Sequence, residues 1–279
     1  MKKLFALILA LCFVLSLTAC GKKTSYTIAV PNDPTNEGRA LLLLEAKGLI
    51  KLKENAGLTA TIQDIKENPY NITFKEAEAA QLPNILKDVD FAVINTNYAL
   101  AAGLSPAKDA LYVEGSVSPY VNILCVKAGN EAKPIVKALA AALTSQQVVD
   151  YIKATYAGQV VAAVDKVTDG YDSSVDYAAL SGQTISVAAS PSPHAEILEV
   201  AKTILAAKGI TLDIRTFEDY VLPNTTVEDG EIDANYFQHV PYLDEFNESR
   251  GTHIVSVAGV HIEPMGVYGG KQKSFDVFK

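Results

Sequence analysis

Cysteine is too scarce to cross-link this 279-residue chain. Cys12 and Cys20 sit in and just after an apolar N-terminal run, which leaves Cys125 by itself. Cys125 lies within the apolar stretch Tyr120–Val126, where a buried strand thiol is expected. Long apolar runs are also missing after the first seventeen residues, so no later segment has the ~20 residues that a spanning helix needs. A basic excess is absent: the net charge is -8, or -10 once Lys2 and Lys3 are set aside, which argues against a nucleic-acid partner. The four histidines, His194, His239, His253 and His261, lack metal-ligand spacing, so no metal is expected. There is no G-x-S-x-G, H-E-x-x-H or Walker A pattern, and no paired nucleophile and base, so neither an enzyme nor a cofactor is expected. Gly266–Lys271 has the wrong glycine spacing for a phosphate loop and reads as a glycine-rich turn. Tandem repeats and low-complexity tracts are absent as well.

What is present begins at the N-terminus. Lys2 and Lys3, the apolar run Leu4–Leu17 and small residues before Cys20 make a secretory signal over residues 1–19. Leu17-Thr18-Ala19-Cys20 resembles a bacterial lipobox, which implies lipidation of Cys20, with residues 20–25 as a tether. An ordinary signal followed by a chance cysteine is the alternative. The lipobox reading places the protein on the extracytoplasmic face of the cell membrane, held by its lipid alone.

Strand-like and helix-like segments then alternate. Thr27–Val30, Phe91–Ile94, Tyr120–Val126, Ile185–Ala188, Leu212–Ile214 and Ile254–Val257 read as strands. Ala40–Ala46, Lys137–Thr155 and His194–Ala207 read as helices. This pattern predicts an α/β fold with largely parallel sheets. Two strand–turn–helix openings, near residues 27 and 185, predict two lobes, 26–104 and 111–279. Residues 165–182 form a connector inside the second lobe. Ligands of such folds sit outside the carboxyl ends of strands, at a switch point or between domains.

Polar residues just after strands are therefore the candidates. Asn32–Arg39 follows the first strand and suits a turn and helix cap. Arg39, expected in the first helical turn, opposes the helix dipole unless a carboxylate joins it; a surface arginine paired with Glu37 is the alternative. Asn95 ends a strand and offers both donor and acceptor to a zwitterion, or simply forms a turn. Asn122 interrupts an apolar run, so burial requires a partner, either backbone or ligand. Tyr220, Phe237, His239 and Tyr242 could wall a pocket for a polarizable side chain or belong to the core.

Several longer stretches resemble the methionine-binding lipoproteins of the NlpA/MetQ family. They are Val30–Leu44, Phe91–Ala99, Ser118–Asn122, Asp219–Asn224, Asp233–His239 and His261–Gly266. The resemblance implies a two-lobe periplasmic-binding-protein fold, each lobe a mostly parallel sheet flanked by helices, with the ligand cleft between them. It implies that Arg39 pairs with the ligand carboxylate and that Asn95 and Asn122 hydrogen-bond the head group. Tyr220, Phe237, His239 and Tyr242 are implied to enclose the thioether. The implied partners are methionine and the permease and ATPase of an ABC importer. Other ligands remain open, namely a methionine-containing dipeptide or another amino acid, as does a structural or adhesive role. The order of segments departs from the family. Pro193–Leu198 and Met265–Tyr268 come late here and Asn32–Arg39 comes early, so the chain resembles a circular permutation joined through residues 165–182. That order leads to the expectation of one interlobe crossing, near Leu104–Tyr112, and a loose hinge.

Overall fold

The computed structural model describes residues 25–115 and 119–279. The signal segment and Cys20 lie outside the described residues, as does Ser118 of the family-like stretch. Its strands are β1 (Tyr26–Pro31), β2 (Lys51–Leu52), β3 (Ile65–Glu67), β4 (Ile72–Ala77), β5 (Phe91–Ile94), β6 (Ala110–Val113) and β7 (Val121–Lys127). They continue with β8 (Val161–Ala162), β9 (Thr184–Ala189), β10 (Thr211–Thr216), β11 (Ala234–His239), β12 (Ile254–Ile262) and β13 (Gly266–Gly269). One sheet has the order β4-β1-β5-β13-β6, the other β10-β9-β11-β7-β12-β8, and β2 and β3 form a small ribbon.

The α/β class and the two sheet-centred lobes agree with expectation, but each sheet is mixed rather than mostly parallel. β1 runs parallel to β4 and β5, and β9 runs parallel to β10 and β11. Every antiparallel pairing within these two sheets involves β6, β7, β12 or β13. These four strands flank the points where the chain changes lobe. A chain that leaves a lobe by one strand and returns by another must present opposite directions at the same edge.

The lobe boundaries differ from those expected. β6, β13 and the terminal turn Phe275–Phe278 belong with the first sheet, not the second lobe. The chain therefore crosses twice, between Val113 and Val121 and between Ile262 and Gly266. The expected single crossing near Leu104–Tyr112, and the loose hinge built on it, are corrected accordingly. The two crossings touch: Glu114 N–H donates to Met265 O at 2.8 Å, and Met265 N–H donates to Glu114 Oε2 at 3.3 Å. The difference has a local cause. Gly266–Gly269 looks like a turn because two of its four residues are glycine, yet Val267 and Tyr268 are fully buried in a strand. The turn falls at Gly270, where a Cβ would overlap the carbonyl oxygens of Leu86 and Val89.

Local chemistry sets the helix that matters most. Asp33 Oδ1 accepts the Asn36 N–H at 3.0 Å, Pro34 occupies the first turn, and Pro34–Ala46 continues as helix. Leu41 and Leu44 bury its inner face against Ile28, Phe91 and Val93 of the first sheet. In the second lobe the expected helix Lys137–Thr155 is two helices, Pro134–Leu143 and Gln146–Tyr156. Ser145 breaks it by adopting an extended backbone and capping Val148 N–H at 3.3 Å. Both helices, with Glu196–Ala206, cover β7, β9 and β11 through Leu124, Leu139, Leu143, Val187, Ile197 and Tyr236.

The C-terminal turn closes the first lobe. The Phe278 ring lies 4.9 Å from Tyr26 and 5.5 Å from Phe91, and Tyr26 Oη donates to Val277 O at 3.2 Å. Buried Phe→Ala changes cost about 3–5 kcal/mol. Phe278→Ala is therefore expected to destabilise the protein by about 3 kcal/mol, read as a lower urea midpoint at unchanged slope. A loss below about 1 kcal/mol would mean that the terminal turn does not hold the lobe together.

Candidate functional site

A small cavity of about 20 Å³ lies between the lobes, at the carboxyl ends of β1, β5, β9 and β11. Arg39, Asn95, Asn122, Tyr220, Phe237, His239 and Tyr242 all line it, together with Asn36, Thr96, Asn97, His194, Gln238 and Glu263. The seven residues singled out in the sequence thus come to one place. They come from several elements of both lobes, with Phe237 and His239 sharing β11, which explains why most are scattered along the chain.

Arg39 stands in the second turn of its helix, one turn deeper than expected, and is 4% exposed. Its partner is not Glu37, whose Oε1 accepts Ile62 N–H instead. Arg39 Nε donates to both Glu114 oxygens at 3.2 and 3.1 Å, and Nη2 donates to Glu114 Oε2 at 2.5 Å. Nη2 also reaches Glu263 O at 2.7 Å, and the guanidinium carbon lies 4.1 Å from the Tyr120 ring centre. Glu114 does not line the cavity. It holds the guanidinium from behind and leaves Arg39 as part of the cavity wall. Close approach of the helix here depends on Gly38, where a Cβ would overlap Leu58 O.

The amides are oriented by their partners. Asn36 Nδ2 donates to Asp33 Oδ1 at 2.8 Å, and Asn95 Nδ2 donates to Asn36 Oδ1 at 2.8 Å. That chain turns Asn95 Oδ1 toward the cavity side, where it is buried without a hydrogen-bond partner. A buried, unmatched acceptor costs about 1–3 kcal/mol, so the site is poised for a donor. Asn122 Oδ1 lies 2.9 Å from His194 Nε2. Burial lowers the His194 pKa to about 3 and keeps the ring neutral. Its Nε2–H therefore donates to Asn122 and leaves the Asn122 amide N–H groups free to serve as donors.

Rings complete the cavity lining. Tyr220 lies 5.9 Å from Phe237 and 5.8 Å from Tyr242, and Phe237 and Tyr242 are 6.0 Å apart. Tyr242 Oη donates to Tyr220 O at 3.0 Å, and Tyr220 Oη donates to Asn97 Oδ1 of the other lobe at 2.7 Å. Tyr98 Oη donates across the cleft to Glu218 O at 3.0 Å. Burial pushes the Tyr220 phenol well above its ordinary pKa, so it remains a neutral donor. His239 caps the helix Val240–Arg250, with Nδ1 accepting Tyr242 N–H at 3.2 Å. Burial, then the nearby Arg39 charge, keep His239 neutral with its other nitrogen protonated.

Sequence reasoning passed over Glu114, His194 and Glu263. One signal was available for Glu263: His261 and Glu263 alternate, so both point to one side of an extended segment. Glu263 Oε1 is 2.7 Å from His261 Nε2 and 3.2 Å from His194 Nε2, and Tyr236 Oη hydrogen-bonds His261 Nδ1. His194, His261 and Glu263 are also the only His, Cys and acid group among the described residues with the proximity to hold a cation.

With these contacts in view, the profile of the NlpA lipoprotein family matches residues 21–164 and 185–279. The chain belongs to the NlpA lipoprotein family. It is 49% identical over 135 residues to the membrane lipoprotein TpN32 of Treponema pallidum (strain Nichols), covering 48% of this chain and 50% of that protein. It is 47% identical over 136 residues to the D-methionine-binding lipoprotein MetQ of Escherichia coli (strain K12), covering 48% and 50%. The chain thus spans about half the length of the curated relatives it matches. A nutrient-binding protein from Burkholderia cenocepacia, solved bound to methionine, is 50% identical over 50% of this chain and 59% of its own, with a TM-score of 0.48.

The buried histidines make stability pH-dependent. His194 and His261 have pKa values lowered to about 3 by burial, against an unfolded value near 6.5. The unfolded chain therefore binds more protons between these values, and the stabilisation present above pH 6.5 is lost as pH falls toward 3. Burial raises the Glu263 pKa, which gives the opposite sign: its contribution is present at low pH and is lost as pH rises through the raised value. Unfolding free energy is expected to fall from pH 7 to pH 5, with a shallower slope in His261→Gln. Parallel slopes would show that His261 is protonated, or solvated, in the folded state.

Proposed function

We propose that this chain captures free methionine between its lobes and delivers it to an ABC importer. The observation that carries the reading is the composition of the pocket: a guanidinium and amides stand in one cavity with three aromatic rings and an imidazole. Arg39 and the Asn122 amide would take the carboxylate, and the unmatched Asn95 Oδ1 would take a proton of the ammonium. Tyr220, Phe237, His239 and Tyr242 would enclose the thioether, whose sulfur packs against ring edges at about 0.3–1.5 kcal/mol per contact. The name of the Escherichia coli relative supports this reading. The neutral tyrosines and histidine supply contacts rather than a nucleophile and base, which fits binding without turnover.

In the same reading Cys20 carries the lipid anchor on the extracytoplasmic face, the permuted order is real, and residues 165–182 join the family's usual ends. Two observations support the permutation. The Tyr26 strand and the terminal Phe278 pack together, so those segments could be continuous in a relative. The family match also omits residues 165–184. No helix among the described residues is long and apolar enough to cross a membrane. Cys20→Ser is expected to move the protein from the membrane to the soluble fraction; retention in the membrane would exclude Cys20 as the anchor.

Calorimetric titration with L-methionine, D-methionine, methionine dipeptides and the other amino acids tests the ligand. Methionine is expected to bind most tightly. Arg39→Lys keeps the charge but loses the fork, and is expected to weaken binding about a hundredfold. Equal affinity in the variant would remove Arg39 from the site, and a tighter dipeptide would replace methionine as the ligand.

A further inference from the structure

Charge balance at the polar end of the pocket leaves one group unmatched. Arg39 already faces a full carboxylate in Glu114. His194 and His261 are neutral, so neither brings Glu263 a positive charge: His261 Nε2–H donates to its Oε1, while His194, whose Nε2–H goes to Asn122, lies beside it. Glu263 is 6% exposed and lines the cavity, and its nearby cation, Arg39, is shared with Glu114 and touches the Glu263 backbone carbonyl, not its carboxylate. A buried carboxylate held only by neutral donors is costly to ionise, and a cation brought beside it removes that cost.

The arrangement is built rather than incidental. Tyr236 fixes the His261 ring through Nδ1, so Nε2–H points at Glu263 Oε1. His194 approaches the same oxygen while steadying Asn122. One ring thus donates to Glu263 Oε1 and the other flanks it. The contact of Arg39 with the Glu263 carbonyl brings the guanidinium beside the residue that bears this carboxylate. The two charged groups of an α-amino acid likewise hang on a single carbon. The unmatched Asn95 Oδ1 gives a second acceptor in the same cavity.

We infer that Glu263, held by His261 and flanked by His194, is the counter-charge for the ligand's α-ammonium, so that the site selects free α-amino acids over analogues lacking the amino group. The inference rests on the methionine reading and deepens it. Glu263 sets specificity, and His261 is a positioning residue acting through it.

The test compares L-methionine with its 2-hydroxy analogue, which replaces the ammonium by hydroxyl at nearly equal size. The wild-type chain is expected to prefer methionine by about a hundredfold or more, the scale of a buried charged contact. Glu263→Gln, which keeps the shape and one acceptor, is expected to cut that preference to below about tenfold, while binding of the hydroxy analogue changes by about threefold or less. Retained binding of the hydroxy analogue also shows that the variant is folded. His261→Gln should fall between the two proteins in preference. An unchanged preference in Glu263→Gln, or wild-type protein that binds both compounds equally, overturns the inference while leaving methionine binding intact. If another amino acid proves to be the ligand, the same comparison runs on its amino and hydroxy forms. A protein that binds no α-amino acid overturns both readings. Stoichiometric zinc binding that blocks methionine in the wild type but is lost in Glu263→Gln would make the cluster a metal site and overturn the inference.

Discussion

The structure turns on the ion pair between Arg39 and Glu114. It is largely withdrawn from water, and its members come from different kinds of element: a helix behind the first strand, and the segment that leaves the first lobe. Glu114 in turn meets Met265 on the segment that comes back. One guanidinium therefore touches the pocket, the outgoing chain and, through Glu263 O, the returning chain. Buried ion pairs seldom add net stability over an apolar substitute, but removal of one member is costly. What this pair supplies is position. It fixes where the cationic wall of the cavity stands relative to the two segments about which the lobes can move.

Around that point the polar groups divide the labour by what they can still offer. Asp33, Asn36 and Asn95 form a line of amides and carboxylate that ends in an acceptor with nothing to accept. His194 consumes the acceptor of Asn122 and so leaves its donors. The orientation of each amide is dictated by its neighbours rather than by an arbitrary choice of flip. Next to the rings, Asn224, Asn235 and Gln238 satisfy one another, so the Gln238 amide at the cavity is already hydrogen-bonded.

Much of this was legible in the sequence because it is local. Asp33 and Pro34 announce the helix start, and Asn95 ends an unmistakably apolar strand, so Arg39, Asn95 and the aromatic cluster near His239 could be found by turn chemistry and alternation. The rest was not legible because it depends on pairing between distant segments. Gly266–Gly269 becomes a strand only because β5 and β6 accept it on both sides, and two glycines hide the apolar period. The placement of β13 decides the number of crossings, and hence the lobe boundaries. Glu114 and Glu263 derive their meaning from Arg39, which stands 75 residues from the first and 224 from the second. Ser145 shows the converse: a locally permissible helix gives way because a serine at that point can cap a second helix.

The packing of Phe278 on Tyr26 has a practical side. The first described strand and the last turn belong to one half of the molecule, and every element of the other half lies between them in the chain. A surface, a dye or a fusion attached beside either would grip the same half and leave the half bearing Tyr220 and Tyr242 uncovered.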